Sequence, residues 1–201
     1  MLSRTSFLPK SLARRILLLV FILALLPAAH IANILVHGNF EPITEGEAYR
    51  SGQINKGRLE QYLKDYRIKS VLNLRGENSG ADWYEDEIAV CSRLSVRHYD
   101  LAMNSTGKPD PDVLSRLMTI FREAPRPILI HCRSGSDRTG LAAAIWKVVV
   151  DGERKAVAEK QLSIRYGHFP VGQTSVLDDF FDEWDPPLLR PANNLQREAR
   201  P

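Results

Sequence analysis

Residues 131–140 read HCRSGSDRTG and bring together a cysteine, two glycines, an aspartate and two arginines. The apolar residues 127–130 come just before, and they predict a buried strand that ends at His131. The small and apolar residues after Thr139 predict a helix. A turn from a strand into a helix exposes the free N–H groups and the positive dipole end of the helix, which together bind anions. The stretch therefore points to chemistry on a bound anion.

Three residues of this turn have properties that suit a phosphate. Gly135 lets the backbone curl, so that the N–H groups of residues 133–137 can surround a tetrahedral anion. Arg138 offers a planar guanidinium that can hold two anion oxygens. Cys132 lies in the same positive field, which favours its thiolate, and a thiolate below a bound phosphate can attack phosphorus in line. The pattern predicts a covalent phosphoryl intermediate on Cys132.

The rest of the chain predicts the scaffold that would position this turn. Apolar runs bounded by turn residues predict strands, and apolar residues at helical spacing predict helices. The predicted strands are 48–53, 69–74, 96–103 and 126–131, and the predicted helices are 57–66, 83–94, 110–123, 139–150, 153–166 and 173–184. Alternation of this kind is typical of an α/β domain with a mainly parallel central sheet flanked by helices. Ligands of such sheets bind at the carboxyl ends of the strands, which is where Cys132 falls.

The stretch HCRSGSDRTG resembles the H-C-x-x-G-x-x-R-[ST] phosphate loop of the cysteine-dependent protein tyrosine phosphatase superfamily. The order of elements over about residues 48–170 is similar to the compact dual-specificity branch, which includes exported bacterial phosphatases. The segments YRSGQ and NLRGE agree with this branch more weakly. A rhodanese-like sulfurtransferase also opens its loop with C-R-S-G but places one residue fewer between the cysteine and the arginine. The longer loop between Cys132 and Arg138 suits a phosphate group better than the single sulfur of a persulfide.

The resemblance implies a role for each residue of the loop. Cys132 would be the nucleophile and Arg138 the phosphate clamp. His131 would orient the loop from behind, and Thr139 would hydrogen-bond the sulfur and ease departure of the thiolate. The residues that would bind the phosphate are Arg133, Ser134, Gly135, Ser136, Asp137 and Arg138.

The general acid is the residue that the resemblance does not supply. In most of the family an aspartate lies on a separate loop about 30 residues before the cysteine, and here Ser105 stands at that place. Asp110, a little further along the chain, is the alternative general acid, although it also fits the N-cap of a predicted helix. Asp100 falls within a strand and fits a structural hydrogen bond. Asp137 lies inside the loop, where the myotubularin lipid phosphatases also carry an aspartate, so we expect it to donate the proton. An orienting ion pair or an N-cap is the alternative role of Asp137.

The entrance to the loop is expected to be basic, since Arg133 and Arg75 could both lie at this edge of the sheet. Such an entrance accepts phosphotyrosine, phosphoserine, an inositol phosphate or a lipid headgroup. The expected function is a tyrosine or dual-specificity protein phosphatase. The first alternative is a phosphoinositide or inositol-phosphate phosphatase, and the second is a phosphate-binding module without turnover. The histidines are scattered and the two cysteines are far apart, so we expect neither a metal site nor a cofactor.

The second cysteine, Cys91, has apolar neighbours at helical spacing, which predicts the buried face of a helix. A role as resolving partner for an oxidised Cys132 is the alternative.

Charge is distributed unevenly along the chain. Residues 1–37 contain four basic residues and no acidic one, and the remainder has 23 basic and 24 acidic residues. A nearly neutral folded part argues against a nucleic-acid partner, which would require a basic surface on the domain. The uncharged, mostly apolar run that starts at Ile16 and continues to Val36 is about 20 residues long, which is enough to span a bilayer.

A basic segment followed by such a run is typical of an export signal or a signal anchor. No clear A-x-A cleavage site is present, so we expect an inner-membrane anchor with the catalytic domain in the periplasm. A cleaved signal would leave a soluble periplasmic protein, and in either case we expect a monomer. The predicted division is a signal or anchor at 1–37, a connector at 38–47, a phosphatase domain at 48–184 and a flexible tail at 185–201.

Overall fold

The computed structural model describes residues 9–186. The chain divides after His37 into two compact units, and the second unit contains the sheet. Within the described range the strands are Glu41–Thr44 (β1), Ala48–Ser51 (β2), Ser70–Asn73 (β3), Arg97–Asp100 (β4) and Ile128–His131 (β5). The α-helices there are Lys10–His37 (α1), Lys56–Asp65 (α2), Asp82–Arg93 (α3), Pro111–Glu123 (α4), Asp137–Val149 (α5), Lys155–Ala158 (α6) and Ser175–Glu183 (α7).

The sheet has the strand order β1-β2-β5-β3-β4, and only β1 runs antiparallel to its neighbour. The prediction of an α/β fold with a mainly parallel sheet is therefore correct. Strand β5 lies in the middle, and its last residue, His131, is paired with Ser51 of β2 and with Asn73 of β3. The carboxyl ends of three strands meet at this point, so the segments YRSGQ and NLRGE both flank the loop that follows β5.

The central strand is buried on both faces, which explains its uninterrupted apolar sequence. Ile128 and Ile130 point into a core that includes most of α5, and Leu129 points into a second core with α2 and α3. Helix α5 is held especially firmly, because every residue from Thr139 to Trp146 is buried. The helix that follows the loop is thus a rigid support.

Two segments differ from the expectations. Residues 38–47, expected to be a polar connector, contain β1, a short edge strand that tolerates Pro42 and buries only Ile43. Residues 153–166, expected to be one helix, form α6 and two 3-10 turns, Glu159–Gln161 and Ile164–Tyr166. Tertiary contacts override the helical spacing there, since a Cβ on Gly140 of α5 would come within 3.0 Å of the Gln161 carbonyl.

Some limits of the other elements also differ. Strand β4 covers Arg97–Asp100 rather than 96–103. The last predicted helix, 173–184, begins with a 3-10 turn at Gly172–Thr174 and continues as α7.

Within residues 9–186, no helix combines the length and the apolar character that a membrane crossing requires. The expected export signal and the periplasmic location stay predictions. Residues 1–8, and the expected tail from residue 187 onward, lie outside the described residues.

Candidate active site

The turn after β5, residues 132–136, packs directly against the end of β2. Gly135 has a φ of +76°, and a Cβ there would lie 2.6 Å from the backbone nitrogen of Gly52. A Cβ on Gly52 would in turn lie 2.9 Å from the backbone of Ser134. Both glycines are therefore required, one for its left-handed backbone and both for the close approach. The backbone N–H of Gln53 also donates to the Arg133 carbonyl, at 3.0 Å.

Cys132 lies at the base of this turn and is 1% exposed. The backbone N–H of Gly135 donates to its Sγ at 3.3 Å, so the loop curls over the sulfur. Helix α5 begins only five residues later, at Asp137, and directs its free N–H groups to the same region. Arg138 is partly buried, and its guanidinium donates to the Leu74 carbonyl at the end of β3, at 3.4 Å. The cysteine, the curled backbone and the arginine form the cradle that a tetrahedral anion requires.

The hydroxyl of Thr139 has a different partner from the one expected. It donates to the Ser51 carbonyl at 3.4 Å, and among the described hydrogen bonds it makes none to the sulfur. The close packing of Gly135 on the end of β2 places that carbonyl beside the first turn of α5. Thr139 thus links the helix to the neighbouring strand.

A buried polar group supports the loop from behind. Nε2 of His131 lies 3.1 Å from Oε1 of Glu87, and Nε2 of His98 lies 2.8 Å from the same oxygen. Oε2 of Glu87 accepts from the amide of Gln53 at 3.2 Å. Burial acts to raise the pKa of Glu87, but the charges and hydrogen bonds of His131 and His98 outweigh it and hold the pKa well below its ordinary value. The carboxylate connects α3, β4 and β5 beneath the site.

A fully buried arginine, Arg50 of β2, supports the loop from the other side. Its guanidinium donates to the Gly135 carbonyl at 2.7 Å and to the carbonyl and side chain of Gln161 at 2.9 and 2.7 Å. It also lies 3.7 Å over the ring of Tyr166. Burial lowers its pKa to about 10, and the interaction with Cys132 opposes that change. At neutral pH Arg50 is a cation beneath the cysteine.

Asn39 joins the loop to the segment after α6. Its amide donates to the Ser134 carbonyl at 3.1 Å and to the Tyr166 carbonyl at 2.9 Å. Asn39 itself is buried, with a φ of +55° that asparagine tolerates better than most residues. The loop backbone is thus satisfied on its outer side, and Ser134 and Arg133 keep their side chains exposed.

The candidate acids have clearly different surroundings. Asp110 accepts from the backbone N–H of Asp112 at 2.8 Å, as the N-cap of α4. Asp100 accepts from Tyr84 at 2.6 Å and from Asn73 at 2.8 Å, which is a structural arrangement. Ser105 lies in a turn whose neighbour Asn104 accepts from the backbone of Thr106 at 2.9 Å.

Asp137 is part of a different arrangement. Its Oδ1 lies 2.8 Å from Nδ1 of His168, and Nε2 of the same ring lies 2.9 Å from Oδ2 of Asp178. Burial acts to lower the pKa of His168, but the hydrogen bonds and charges of the two carboxylates outweigh it and raise the pKa. Of the candidate acids Ser105, Asp110, Asp100 and Asp137, only Asp137 belongs to the loop, and it contacts a buried histidine.

The entrance carries the positive charge that was expected. Arg75 follows β3, stacks 3.5 Å above the ring of Trp83 and donates to Gln53 at 3.3 Å. Burial lowers the pKa of Arg75, and the charges of Arg138 and Arg133 lower it further. The three guanidinium groups therefore act on one region.

Cys91 is buried on α3 in the core opposite to that of Cys132, and neither cysteine is in a disulfide. Burial, and then the charge of Glu87, raise the pKa of the Cys91 thiol to about 12. Both observations argue against a resolving role. Among the described residues, no group of histidine, cysteine, aspartate or glutamate side chains is placed to hold a metal ion.

Sequence patterns did not identify several supporting side chains. Arg50 and Glu87 leave a weak signal, because each interrupts an otherwise buried strand or helix face. His168 and Asp178 leave none, since they are distant in sequence from the loop and follow no periodic pattern. The supporting residues that sequence reasoning missed are Asn39, Arg50, Glu87, His98, Gln161, His168 and Asp178.

An α/β sheet whose central strand ends in a cysteine below a curled backbone, with an arginine at the start of the next helix, defines a cysteine-dependent phosphatase of the tyrosine phosphatase superfamily. The model of the family described as "DSP-PTPase phosphatase fused to NAD+ Kinase" matches residues 37–176. The chain belongs to this family.

Curated relatives agree with this assignment. The chain is 34% identical over 79 residues to the dual specificity protein phosphatase TpbA of Pseudomonas aeruginosa, which covers 39% of this chain and 36% of TpbA. It is 30% identical over 121 residues to the inositol diphosphatase Siw14 of Saccharomyces cerevisiae, which covers 55% of this chain and 40% of Siw14. The matches thus span well under half of each relative.

Solved structures give the same fold. The crystal structure of TpbA aligns with a TM-score of 0.57 at 25% identity, covering 73% of this chain and 85% of that one. The core catalytic domain of Siw14 aligns with a TM-score of 0.60 at 20% identity, covering 80% and 90% of the two chains. TpbA has also been solved as a cysteine-to-serine variant in complex with phosphotyrosine, which aligns with a TM-score of 0.58.

Proposed function

We propose that this chain hydrolyses phosphomonoesters through a cysteinyl-phosphate intermediate and that its substrate is a phosphorylated protein. The observation that carries the reaction is the position of Cys132 under the loop, with the Gly135 N–H 3.3 Å from its sulfur. In the first step the S–P bond forms, the P–O bond of the ester breaks, and the leaving oxygen takes a proton. In the second step water attacks phosphorus, the S–P bond breaks, and the thiolate returns.

The reaction is tested with an aryl phosphate on the full chain and on Cys132→Ser, which keeps the size of the side chain but removes the thiolate. We expect hydrolysis by the wild type and none above background for the variant. A phosphorylated peptide containing Cys132 should be found by mass spectrometry after a rapid acid quench. If the wild type binds vanadate but hydrolyses no more than Cys132→Ser, the protein is a phosphate-binding module rather than an enzyme.

Phosphoprotein substrates are supported by the likeness to TpbA, whose name describes a dual specificity protein phosphatase. The second candidate, an inositol phosphate or phosphoinositide, is favoured by the three clustered guanidinium groups and by the likeness to the inositol diphosphatase Siw14. Arg75 is the residue that distinguishes the two. It is held beside the loop by Trp83 and could bind a further phosphate of a polyanionic substrate.

A panel of phosphotyrosine and phosphoserine peptides, phosphoinositides and inositol phosphates, each assayed with Arg75→Gln, separates these substrate classes. For a phosphopeptide with one phosphate we expect kcat/KM to fall less than about fivefold, because Arg138 alone clamps that phosphate. For a polyphosphate that uses Arg75, the loss should exceed about tenfold. Arg97→Gln is the matched control, since it removes an equal charge at the amino end of β4, away from the loop. Higher kcat/KM on inositol phosphates than on every phosphopeptide would overturn the phosphoprotein assignment.

The proposal includes export to the periplasm through the basic and apolar N-terminal sequence, with Arg14 and Arg15 on the cytoplasmic side. A fusion to a reporter enzyme that is active only outside the cytoplasm tests the location. The mass of the purified chain tests whether the segment is cleaved. A fusion that is produced at full length but shows no reporter activity would contradict export.

A further inference from the structure

His168 has a polar partner on each side of its ring although it is 0% exposed. Asp137 lies 2.8 Å from Nδ1, and Asp178 lies 2.9 Å from Nε2. These three side chains, which we call the carboxylate–histidine triad, come from the start of α5, the segment after Tyr166, and α7. The triad brings α7 to the phosphate loop, although Asp137 and His168 are 31 residues apart in sequence.

The hydrogen bonds of the triad require an additional proton. A neutral imidazole has one N–H donor and one lone-pair acceptor, and an ionised carboxylate only accepts. If all three groups had their ordinary neutral-pH states, one nitrogen lone pair would face a carboxylate oxygen at hydrogen-bond distance. Both short contacts are satisfied when the imidazole carries two protons. His131 differs, because its ring reaches its second acceptor, the Cys132 carbonyl, only at 3.4 Å.

The two charged groups that face His168 are Asp137 from α5 and Asp178 from α7, and both favour the imidazolium. Their effect exceeds that of burial, which favours the neutral ring. The backbone N–H of His168 makes an uncharged contact, donating at 3.1 Å to the carbonyl of Ser163, the residue before the second 3-10 turn.

Asp137 connects this proton to the site. It is the first residue of α5, directly before the phosphate clamp Arg138, and its side chain is 25% exposed. Its Oδ1 is engaged with His168, and its Oδ2 makes no hydrogen bond within the described part of the chain. One oxygen of the carboxyl therefore contacts the buried ring, while the other has no hydrogen-bond partner among the described residues.

We propose that His168 is a positioning residue that stores the proton which Asp137 delivers to the leaving group. This role rests on the proposed phosphatase reaction. When the P–O bond breaks, one proton passes from Nδ1 of His168 to the Asp137 carboxyl and from that carboxyl to the leaving oxygen. The ring is then neutral: Nε2 keeps its proton and still donates to Asp178, and the lone pair of Nδ1 faces Asp137. When water attacks the cysteinyl phosphate, its proton returns by the same route, so the triad gains as many protons as it gives.

This arrangement accounts for an acid within an anion-binding loop. An aspartate in such a loop must hold a proton when the P–O bond breaks, because an ionised carboxylate only accepts hydrogen bonds. A neighbouring imidazolium supplies that proton at the moment of bond cleavage. After cleavage, the lone pair of Nδ1 faces the Asp137 carboxylate, and this unfavourable contact favours recapture of a proton from water, which suits a general base in the second step.

The decisive variant is His168→Asn. Its side-chain amide can still donate a hydrogen bond to Asp137 but does not release a proton near neutral pH. Phosphoenzyme formation is measured in single turnovers on the full chain, with an aryl phosphate that needs little acid assistance and an alkyl phosphate that needs it strongly. We expect the alkyl rate to fall about 100-fold or more and the aryl rate less than about fivefold. Equal losses on both esters would show a merely structural role and overturn the proposal. Absence of aryl hydrolysis by the wild type would instead refute the phosphatase function itself.

Asp178→Asn supplies an independent pH test. The active form carries the additional proton, so the alkyl rate declines as pH rises through the pKa of the triad. Removing one carboxylate lowers that pKa, so this alkaline limb should move to lower pH while the aryl rate changes little. If the alkaline limb of the alkyl rate stays at the same pH in Asp178→Asn, the proposed proton transfer from His168 through Asp137 is contradicted.

A measurement without substrate completes the test. The nitrogen chemical shifts of the His168 ring at pH 7 should show two protonated nitrogens in the wild type. A ring with one protonated nitrogen at that pH would rule out storage of the proton on His168, whatever the variants do.

Discussion

Removing the charge of Glu87 tests whether the buried network behind the loop stabilises the domain. Glu87 is 2% exposed and accepts at Oε1 from His98 at 2.8 Å and from His131 at 3.1 Å. Its Oε2 accepts from Gln53 at 3.2 Å. Glu87→Ala removes all three contacts, and Glu87→Gln removes the charge while keeping the shape. Glu87→Ala should therefore lower the free energy of unfolding more than Glu87→Gln does.

The expected magnitudes follow from these contacts. Each buried donor that is left without an acceptor costs about 1–3 kcal/mol, so loss of the contacts to His98, His131 and Gln53 together predicts about 3–5 kcal/mol. We expect this loss for Glu87→Ala. In Glu87→Gln the amide oxygen can still accept from the histidines, but the amide nitrogen meets the donor of Gln53. Loss of the charge and of that one hydrogen bond predicts about 2 kcal/mol.

The stabilisation by Glu87 should depend on pH in a definite direction. The folded-state pKa of Glu87 lies below its ordinary value, so its contribution is fully present above the ordinary glutamate pKa of about 4.3 and is lost as pH falls toward the folded-state pKa. The difference in stability between wild type and Glu87→Gln should therefore be constant near neutral pH and shrink below about pH 4. Guanidinium unfolding at pH 7 and pH 3.5, followed by tryptophan fluorescence, measures it.

Asp86→Asn is the control, because it neutralises the preceding residue of the same helix. Asp86 pairs with Lys56 at 2.6 Å, with both side chains about half exposed, and such surface pairs contribute about 0–1 kcal/mol. If Glu87→Gln destabilises no more than Asp86→Asn, or if the difference grows in acid, then the network does not stabilise the domain as argued.

Three further substitutions test the loop and its surroundings. Gly135→Ala would place a Cβ 2.6 Å from the backbone nitrogen of Gly52, so aryl phosphate hydrolysis should fall about 100-fold or more. Gly46→Ala is the control, since Gly46 has a similar φ of +73° but lies in open space. It should lower the free energy of unfolding by only about 1 kcal/mol and leave hydrolysis unchanged. Asn39→Ala removes two hydrogen bonds to loop and turn carbonyls and should lower the free energy of unfolding by about 2–4 kcal/mol in guanidinium titrations. Cys91→Ser should leave hydrolysis unchanged, and mass spectrometry after brief alkylation of the native protein at pH 8 should find Cys91 unmodified, because the pKa of its thiol is about 12.

The parts of the site that the sequence predicts are those that lie next to each other in the chain. The apolar run before His131 predicts the central strand, and the residues after it predict both the turn and the helix. The proposed nucleophile, Cys132, and the proposed phosphate clamp, Arg138, are within this stretch, so no long-range packing needs to be known to find them. The flanking segments were recognisable because parallel strands end at one edge, and the register places Ser51 and Asn73 beside His131.

The supporting residues could not be predicted because their roles depend on burial that composition does not reveal. Charged residues are most often exposed, so an arginine in a short strand is expected at the surface. Arg50 is instead buried, with its charge compensated by carbonyl groups and the ring of Tyr166. The same contacts break the predicted helix at 153–166, since the backbone of Gln161 must turn to reach Arg50.

The separate acid loop and the triad are two solutions to one chemical requirement. The positive field of a loop that binds phosphate favours the ionised form of a carboxyl group. An aspartate on a distant loop can therefore keep its proton more easily than one inside the cradle. Here that loop carries Ser105, and Asp110 is engaged as a helix cap. An acid at Asp137 then needs a proton source in contact with it, and that source must lie outside the cradle. His168 meets this condition, because it is buried behind Asp137 and is held by a second carboxylate, Asp178, on its far side. Ser105 stands where most of the family has the acidic aspartate, and a buried His168 beside Asp137 compensates for that difference. We therefore expect the two features to occur together.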